Sequence, residues 1–527
     1  MTDLKSLPAA LVGTGVDNPA TGASVSPGAR IRSREDLKGA LMALGAENIS
    51  QSLFWGAKSE GAVLGISFQE VLTAAELSDL LANISTHASQ IFTKKMQVHA
   101  CSVADSSCRK KLFADILQNA WALPPGSELN TAVTKYDEMA SKPVEGETQE
   151  QATIQSIAVI LLSPRFLMNP EVGLKSSENN QGIRRLSPTE IALRFYSLVY
   201  SRRPSEKELE SAELSALSTP DGRLERLRAA LKTDAGVETL GHIVERWLIG
   251  EPKGFVTKSA SVKKGLPDDF ESKEKEQFDL FVKKILSDRS APHLKKLFTS
   301  NNYPATSAFE SIYNIPGLGT SWGEIDLSQR KGMGVLTLPT VLMRHTGADG
   351  ASPFHSGKSL SERLTCTVIS PPPPGADAMA PGMKVDANLT LRESLEKRTA
   401  APVCQSCHTK FSPVGFSILG IDPVGRFSAT DPVGKPWNTA GVLKLGSGES
   451  INFSDATSFA TNYAGSSQAT SCLTHLLFRW TFGRSENALD ADLLEKARAA
   501  AKASGGNFDS ILETFVKSEA FETVILR

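Results

Sequence analysis

Residues 390–425 read TLRESLEKRTAAPVCQSCHTKFSPVGFSILGIDPVG, and the string Cys404-Gln405-Ser406-Cys407-His408 within them governs the reading of the whole chain. Thr390-Leu391-Arg392-Glu393 is an S/T-x-x-E capping box that starts a helix at Leu391 and carries it toward Thr399. The chain then passes through Pro402 to Cys404, which puts the motif just past a helix end. With 6 Cys and 8 His scattered at random, C-x-x-C-H arises in roughly one in a thousand chains of this composition. The string is a haem attachment signature: two thiols spaced over one turn can add across both vinyl groups, and the next imidazole reaches the iron. The reading is one covalent haem c, with Cys404 and Cys407 holding the porphyrin and His408 binding the iron.

Three rivals use the same residues. A zinc site would add two distant ligands such as Cys366 and Cys472, but no second C-x-x-C or H-x-H completes the usual spacing. A thioredoxin-like redox pair needs a βαβ context that is missing. A plain structural disulfide or a chance string is the last. The distal iron ligand has several candidates. No Met follows Met383, so the arrangement with a Met downstream of the motif does not apply. Met333, Met343, Met379, Met383, His345, His355 and His475 remain. His345 stands out because it lies between a helical pattern and a Gly-Ala-Asp-Gly turn, where a side chain can be aimed; an open iron position is the alternative.

Working outward, 527 residues with 40% hydrophobic and 22% charged content describe a multidomain globular chain and exclude wholesale disorder. Lys+Arg number 57 against 58 Asp+Glu, so no basic excess exists to neutralise a phosphate backbone, which argues against a nucleic-acid partner. The longest apolar stretch, Ile154 to Met168, is broken by Gln155, Ser156, Ser163, Pro164 and Arg165, so no membrane span is expected. The opening MTDLKSLPAALVGTG lacks a secretory pattern; either the protein stays inside, or a signal was removed or lies upstream. Six cysteines are too few for a disulfide scaffold. Cys366 and Cys472 either bridge or are two separate small buried residues, and Cys101 and Cys108 either close a local loop or stay unpaired. No Ser/His/Asp triad, phosphate-cradling glycine loop or paired carboxylates stand in a suggestive context.

The periodicity predicts a mainly α chain. Residues 1–30 read as a flexible lead-in. Helical patterns follow at Ser33 to Leu44, Ser67 to Ala100, Cys108 to Trp121 and Glu147 to Leu162. Ser187-Pro188-Thr189-Glu190 is a capping box with Pro at the first helical position, opening a helix with Ile191, Phe195, Leu198 and Val199 on its buried side. Pro204 opens another; Asp221 to Leu231, Val237 to Ile249 and Glu271 to Leu286 continue the array. Asn301 to Gly332 reads as a long connection. Val335 to Arg344, Ser356 to Val368 and Leu391 to Thr399 are shorter helices around a stiff Pro371–Pro374 spacer. Between Thr430 and Asn462, AGVLKLG and SINFSD suggest a small β-hairpin, and Ala469 to Phe482, Asn487 to Ala503 and Asn507 to Lys517 close the chain as helices.

These stretches also resemble a known family. GVLTLPTVLMRHTG, ASPFHSGKSLSERLTCTVISPPPP, the motif segment and LTHLLFRWTFGR are similar to the planctomycete-type cytochrome c proteins assembled from domain-of-unknown-function families 1592, 1588 and 1585. The resemblance runs from about Leu186 to the C-terminus. In the motif segment it rests on Cys404, Cys407, His408, Pro413, Gly415, Phe416, Asp422 and Gly425, with Ser412 where the family usually has Asp and Ile421 where it has Phe. After an N-terminal helical region at 31–180, read from periodicity, it implies a division into 181–325, 1592-like; 326–430, the haem-attachment module (1588-like); and 431–527, 1585-like. It further implies a disulfide between Cys366 and Cys472 and a periplasmic or extracellular location, but no particular reaction; electron transfer with a redox partner protein is the role expected from the haem motif itself. The alternatives are a haem enzyme with an open iron site and a structural or surface-interaction protein.

Overall fold

A computed structural model describes residues 29–32, 34–49, 74–123, 125–205, 207–250, 258–329, 334–348, 350, 352–370, 388–446 and 448–525. The lead-in through residue 28, the proline spacer, and Met333, Met379 and Met383 lie outside the described residues. The described chain is mainly helical, with four two-stranded antiparallel pairings.

Helices Arg34–Leu44, Ala74–His99, Ser106–Trp121, Ser127–Ala140 and Gln149–Leu162 enclose a first apolar core. Ser106–Trp121 buries Leu112, Phe113, Ile116 and Leu117, one face at helical spacing. Gln149–Leu162 opens on a Thr148/Gln151 capping box. It is followed by a single turn, Pro164–Leu167, and by a strand, Met168–Pro170, that pairs with Ala29–Ile31.

A second and larger core runs from Leu186 to Val524. Its first helix, Pro188–Tyr200, carries the Ser187/Glu190 capping box and buries Ile191, Phe195, Leu198 and Val199. Asp234–Leu248, Phe270–Ser287, Ser467–Phe482 and Phe508–Lys517 pack around it. Strand Ile183–Arg185 pairs with Thr523–Ile525 and ties the start of this unit to its end. The divisions expected at 325 and 430 fall inside this one core, while the division near 180 falls between the two. Arg203 spans that division, donating to Asn169 Oδ1 and to the carbonyls of Ala120, Arg165 and Met168. A buried Arg194–Glu171 pair stands at 2.7 Å, and Arg194 also donates to the carbonyls of Ala520, Phe521 and Thr523.

Three local readings change. Pro204 does not open a helix; a 3₁₀ turn, Lys207–Leu209, precedes the next helix, Ser211–Leu217. The stretch read as a long connection holds a strand pair, Asn302–Ala305 with Gly323–Asp326. It escapes the alternation test because Pro304 sits in one strand and the other, GEID, has a single apolar residue. Its anchor is Tyr303, 1% exposed and stacked 5.2 Å from Phe281. Val335 to Arg344 is a 3₁₀ turn, Gly334–Thr337, and then a separate helix, Pro339–His345, because Pro339 starts a helix rather than continuing one. The hairpin in the later stretch pairs Gly441–Lys444 with Ser450–Phe453.

Candidate functional site

The Thr390/Glu393 capping box forms as its spacing requires, and the helix it opens spans Leu391–Arg398. Past Thr399 the chain does not remain irregular. Pro402 occupies the first turn of a new helix, Pro402–His408, so the motif lies past the end of Leu391–Arg398, as expected, and is itself helical. Ala401 O accepts from the amides of Cys404 and Gln405 at 2.9 and 3.0 Å, and the Gln405 side chain donates back to Thr399 O at 2.7 Å. Spacings of three and four put Cys407 and His408 beside Cys404 on the same side of the turn. No residue of this helix is buried. Cys404 and Cys407 are unpaired and partly exposed, whereas Cys101 bonds to Cys108 and Cys366 bonds to Cys472.

His408 is positioned by aromatic rings and one hydroxyl. Its ring lies 4.2 Å from Phe354, edge to face, and 4.8 Å from Phe411. Nδ1 is 3.0 Å from Ser412 Oγ, and Nε2 has no partner among the described residues. Burial, and then the charge of Arg398, hold its pKa below the ordinary histidine value, so the ring is neutral at neutral pH. Phe354 is delivered by helix Pro353–Thr365, which crosses Ser412–Ser417 at glycine-to-glycine distance. A Cβ on Gly415 would sit 1.8 Å from Pro353 O, and one on Gly357 would sit 2.5 Å from Phe411 O. Beneath the motif Leu395, Phe416 and Leu419 form a small separate apolar cluster with Phe354, Leu391 and Trp437 at its edge. The Arg392 guanidinium covers Phe416 at 4.7 Å and donates to Asn438 O and Ala440 O.

Three family models match the chain in tandem: "Protein of unknown function (DUF1592)" over residues 186–315, "(DUF1588)" over 332–431 and "(DUF1585)" over 449–521. Together they span more than half of it. The chain is a member of the tandem DUF1592–DUF1588–DUF1585 proteins. No curated protein and no solved structure matches it.

The DUF1588 segment holds the motif and its packing partners Phe354, Gly357, Phe411 and Gly415. It also holds His345, and there the structure corrects the expectation of an aimed side chain. His345 is 2% exposed, with Nδ1 bonded to Ser359 Oγ at 2.6 Å and Nε2 to Leu248 O at 2.5 Å. Burial pushes its pKa down to about 3, and neither nitrogen is left for an iron. The last helical turn carries it into the core before the glycine turn begins. His475, in the DUF1585 segment, is held by Glu486 at 2.9 Å, and Met343 is a core side chain. His355 is exposed; its amide donates to Ser352 Oγ, and its ring has no hydrogen-bond partner among the described residues. The Cys366–Cys472 bond joins the DUF1588 segment to the DUF1585 segment and takes both distant ligands from the zinc reading. Sequence reasoning missed Phe354, about fifty residues upstream of the ring it touches, and Arg392, which it treated only as part of a cap. It also passed over a repeat: Asp422-Pro-Val-Gly-Arg recurs as Asp431-Pro-Val-Gly-Lys, and each Asp accepts from the amides two and four residues on.

Proposed function

We propose that the chain is a c-type cytochrome carrying one covalent haem on Cys404, Cys407 and His408, and that it transfers electrons in an exported redox system with a protein partner. One observation carries the reading. Four of the six cysteines are used in disulfides, and the two left free share a seven-residue helix with a neutral imidazole whose Nε2 is unengaged. This donor set fits haem c: two accessible thiols for the vinyl groups and one nitrogen for the iron. When bound, the haem supplies a reversible one-electron couple. The chain supplies the rest. The Cys404 and Cys407 sulfurs would anchor the ring system, and His408 would offer Nε2 while Nδ1–H donates to Ser412 Oγ. Phe354 and Phe411 fix the imidazole plane and keep water from its sides. Two disulfides support an oxidising compartment, and no helix among the described residues is long and apolar enough to cross a membrane.

A second reading, turnover of a substrate at an open iron position, draws on the engagement of both His345 and His475 with protein partners, which leaves His355 as the candidate histidine whose ring is free, among the described residues, to close that position. The two part in one spectrum. Protein produced with a c-type maturation system should show low-spin, six-coordinate iron unmoved by carbon monoxide if it is a carrier. High-spin ferrous iron that binds carbon monoxide would replace the carrier by the enzyme.

A further inference from the structure

The net charge is −1, yet the motif sits in an uncompensated positive field. From Lys397 to Ile421 there is no Asp or Glu, while Lys397, Arg398 and Lys410 all fall in that interval. Lys397 and Lys410 are exposed, Arg398 is half-buried, and none of the three side chains makes an ion pair or hydrogen bond among the described residues. The carboxylates just upstream are already occupied: Glu396 takes Arg392 at 2.8 Å, and Glu393 caps its own helix and lies 3.6 Å from Lys435. Between the cations an apolar stretch, Ala400, Ala401 and Pro402 exposed and Val403 46% exposed, is followed by exposed Ser406 and Thr409. An apolar centre rimmed by unpaired charge of one sign is the composition of a transient docking face, in which the charges steer encounter and the apolar centre sets contact.

We propose that this face, Lys397 to Lys410, docks an acidic redox protein, one that presents carboxylates around its own electron-transfer centre. The inference rests on the haem reading, since it names the partner of that same site. Charge on this scale acts over about one Debye length, roughly 10 Å at 0.1 M salt, so the field is felt at the motif and not across the whole molecule. A cationic partner would meet repulsion here despite the overall negative sign.

The test uses the intact, haem-loaded protein in its reduced form. One electron passes from it to a small oxidant, either hexacyanoferrate(III), a trianion, or tris(phenanthroline)cobalt(III), a trication, and the second-order rate is followed as ionic strength rises. The anionic oxidant should slow about tenfold between low and high salt, while the cationic one should speed up. The double variant Lys397→Glu/Lys410→Glu should reverse both slopes, and poly-glutamate should slow oxidation of the native protein only. Flat slopes, or a faster reaction with the cation at low salt, would overturn the acidic partner while leaving the haem in place. Protein without a Soret band would instead bring down the haem reading itself.

Discussion

His408 is held by one hydroxyl and two rings, and each has a separable effect. Ser412 is a positioning residue, because a neutral acceptor on Nδ1 donates less electron density through the ring than a carboxylate would. Ser412→Ala should therefore raise the reduction potential of the loaded protein, Ser412→Asp should lower it, and Ser412→Thr should restore it, all read by potentiometric titration of the Soret band. Equal potentials across the three would remove this role. The residues proposed for attachment stand out in the sequence because the chemistry proposed for them is encoded in a spacing of three and four. Phe354 does not, because a contact across fifty residues is set by a helix crossing that no local pattern records. A second prediction concerns a residue far from the motif. Glu274 is 6% exposed and bonded to Thr340, and burial pushes its carboxyl up to about 7. The folded state keeps the proton that the unfolded chain gives up near its ordinary value. The stability this group contributes is thus complete below about pH 4.5 and is lost as pH rises through 7, a change of roughly 3 kcal/mol. Glu274→Gln should flatten that slope in denaturation curves taken from pH 4 to 8; an unchanged slope would contradict the assignment.

At the scale of elements, the site depends on two helices crossing at glycines. Gly415→Ala forces a methyl against the Pro353 carbonyl, and the main chain has to move, at a cost of about 3 kcal/mol or more. Gly446→Ala, with nothing within 4 Å of the added carbon, should stay within about 0.5 kcal/mol of native when both variants are unfolded in guanidinium. If the two cost the same, the crossing does not hold the site. Elements with a strong local signal were legible: the Ser187 and Thr390 capping boxes, and the Gly441–Lys444 hairpin flanked by turn residues. The short helix carrying the motif was not, since Pro402 marks both the end of one helix and the start of the next, and only the fold decides which. The Asn302–Ala305 strand failed for the opposite reason: its stability comes from Tyr303 packing, not from alternation.

For the whole molecule, the sequence divisions and the packing divisions differ. Resemblance separates three segments after residue 180, but their side chains share one core, because segments packed against one another in one chain need not each bury a core of their own. The Cys366–Cys472 bond, with a sequence separation of 106, is the covalent expression of that sharing. Replacing both cysteines by serine should cost about 2–5 kcal/mol in equilibrium unfolding and leave the haem spectrum intact, whereas a loss of haem without loss of stability would contradict a structural role. The central claim is covalent attachment, and the mass of the mature protein tests it most directly. Produced with a c-type maturation system and denatured, the native chain should weigh one haem more than its polypeptide, and Cys404→Ala/Cys407→Ala should weigh the polypeptide alone. A native chain at bare polypeptide mass, with no Soret band, would contradict the account.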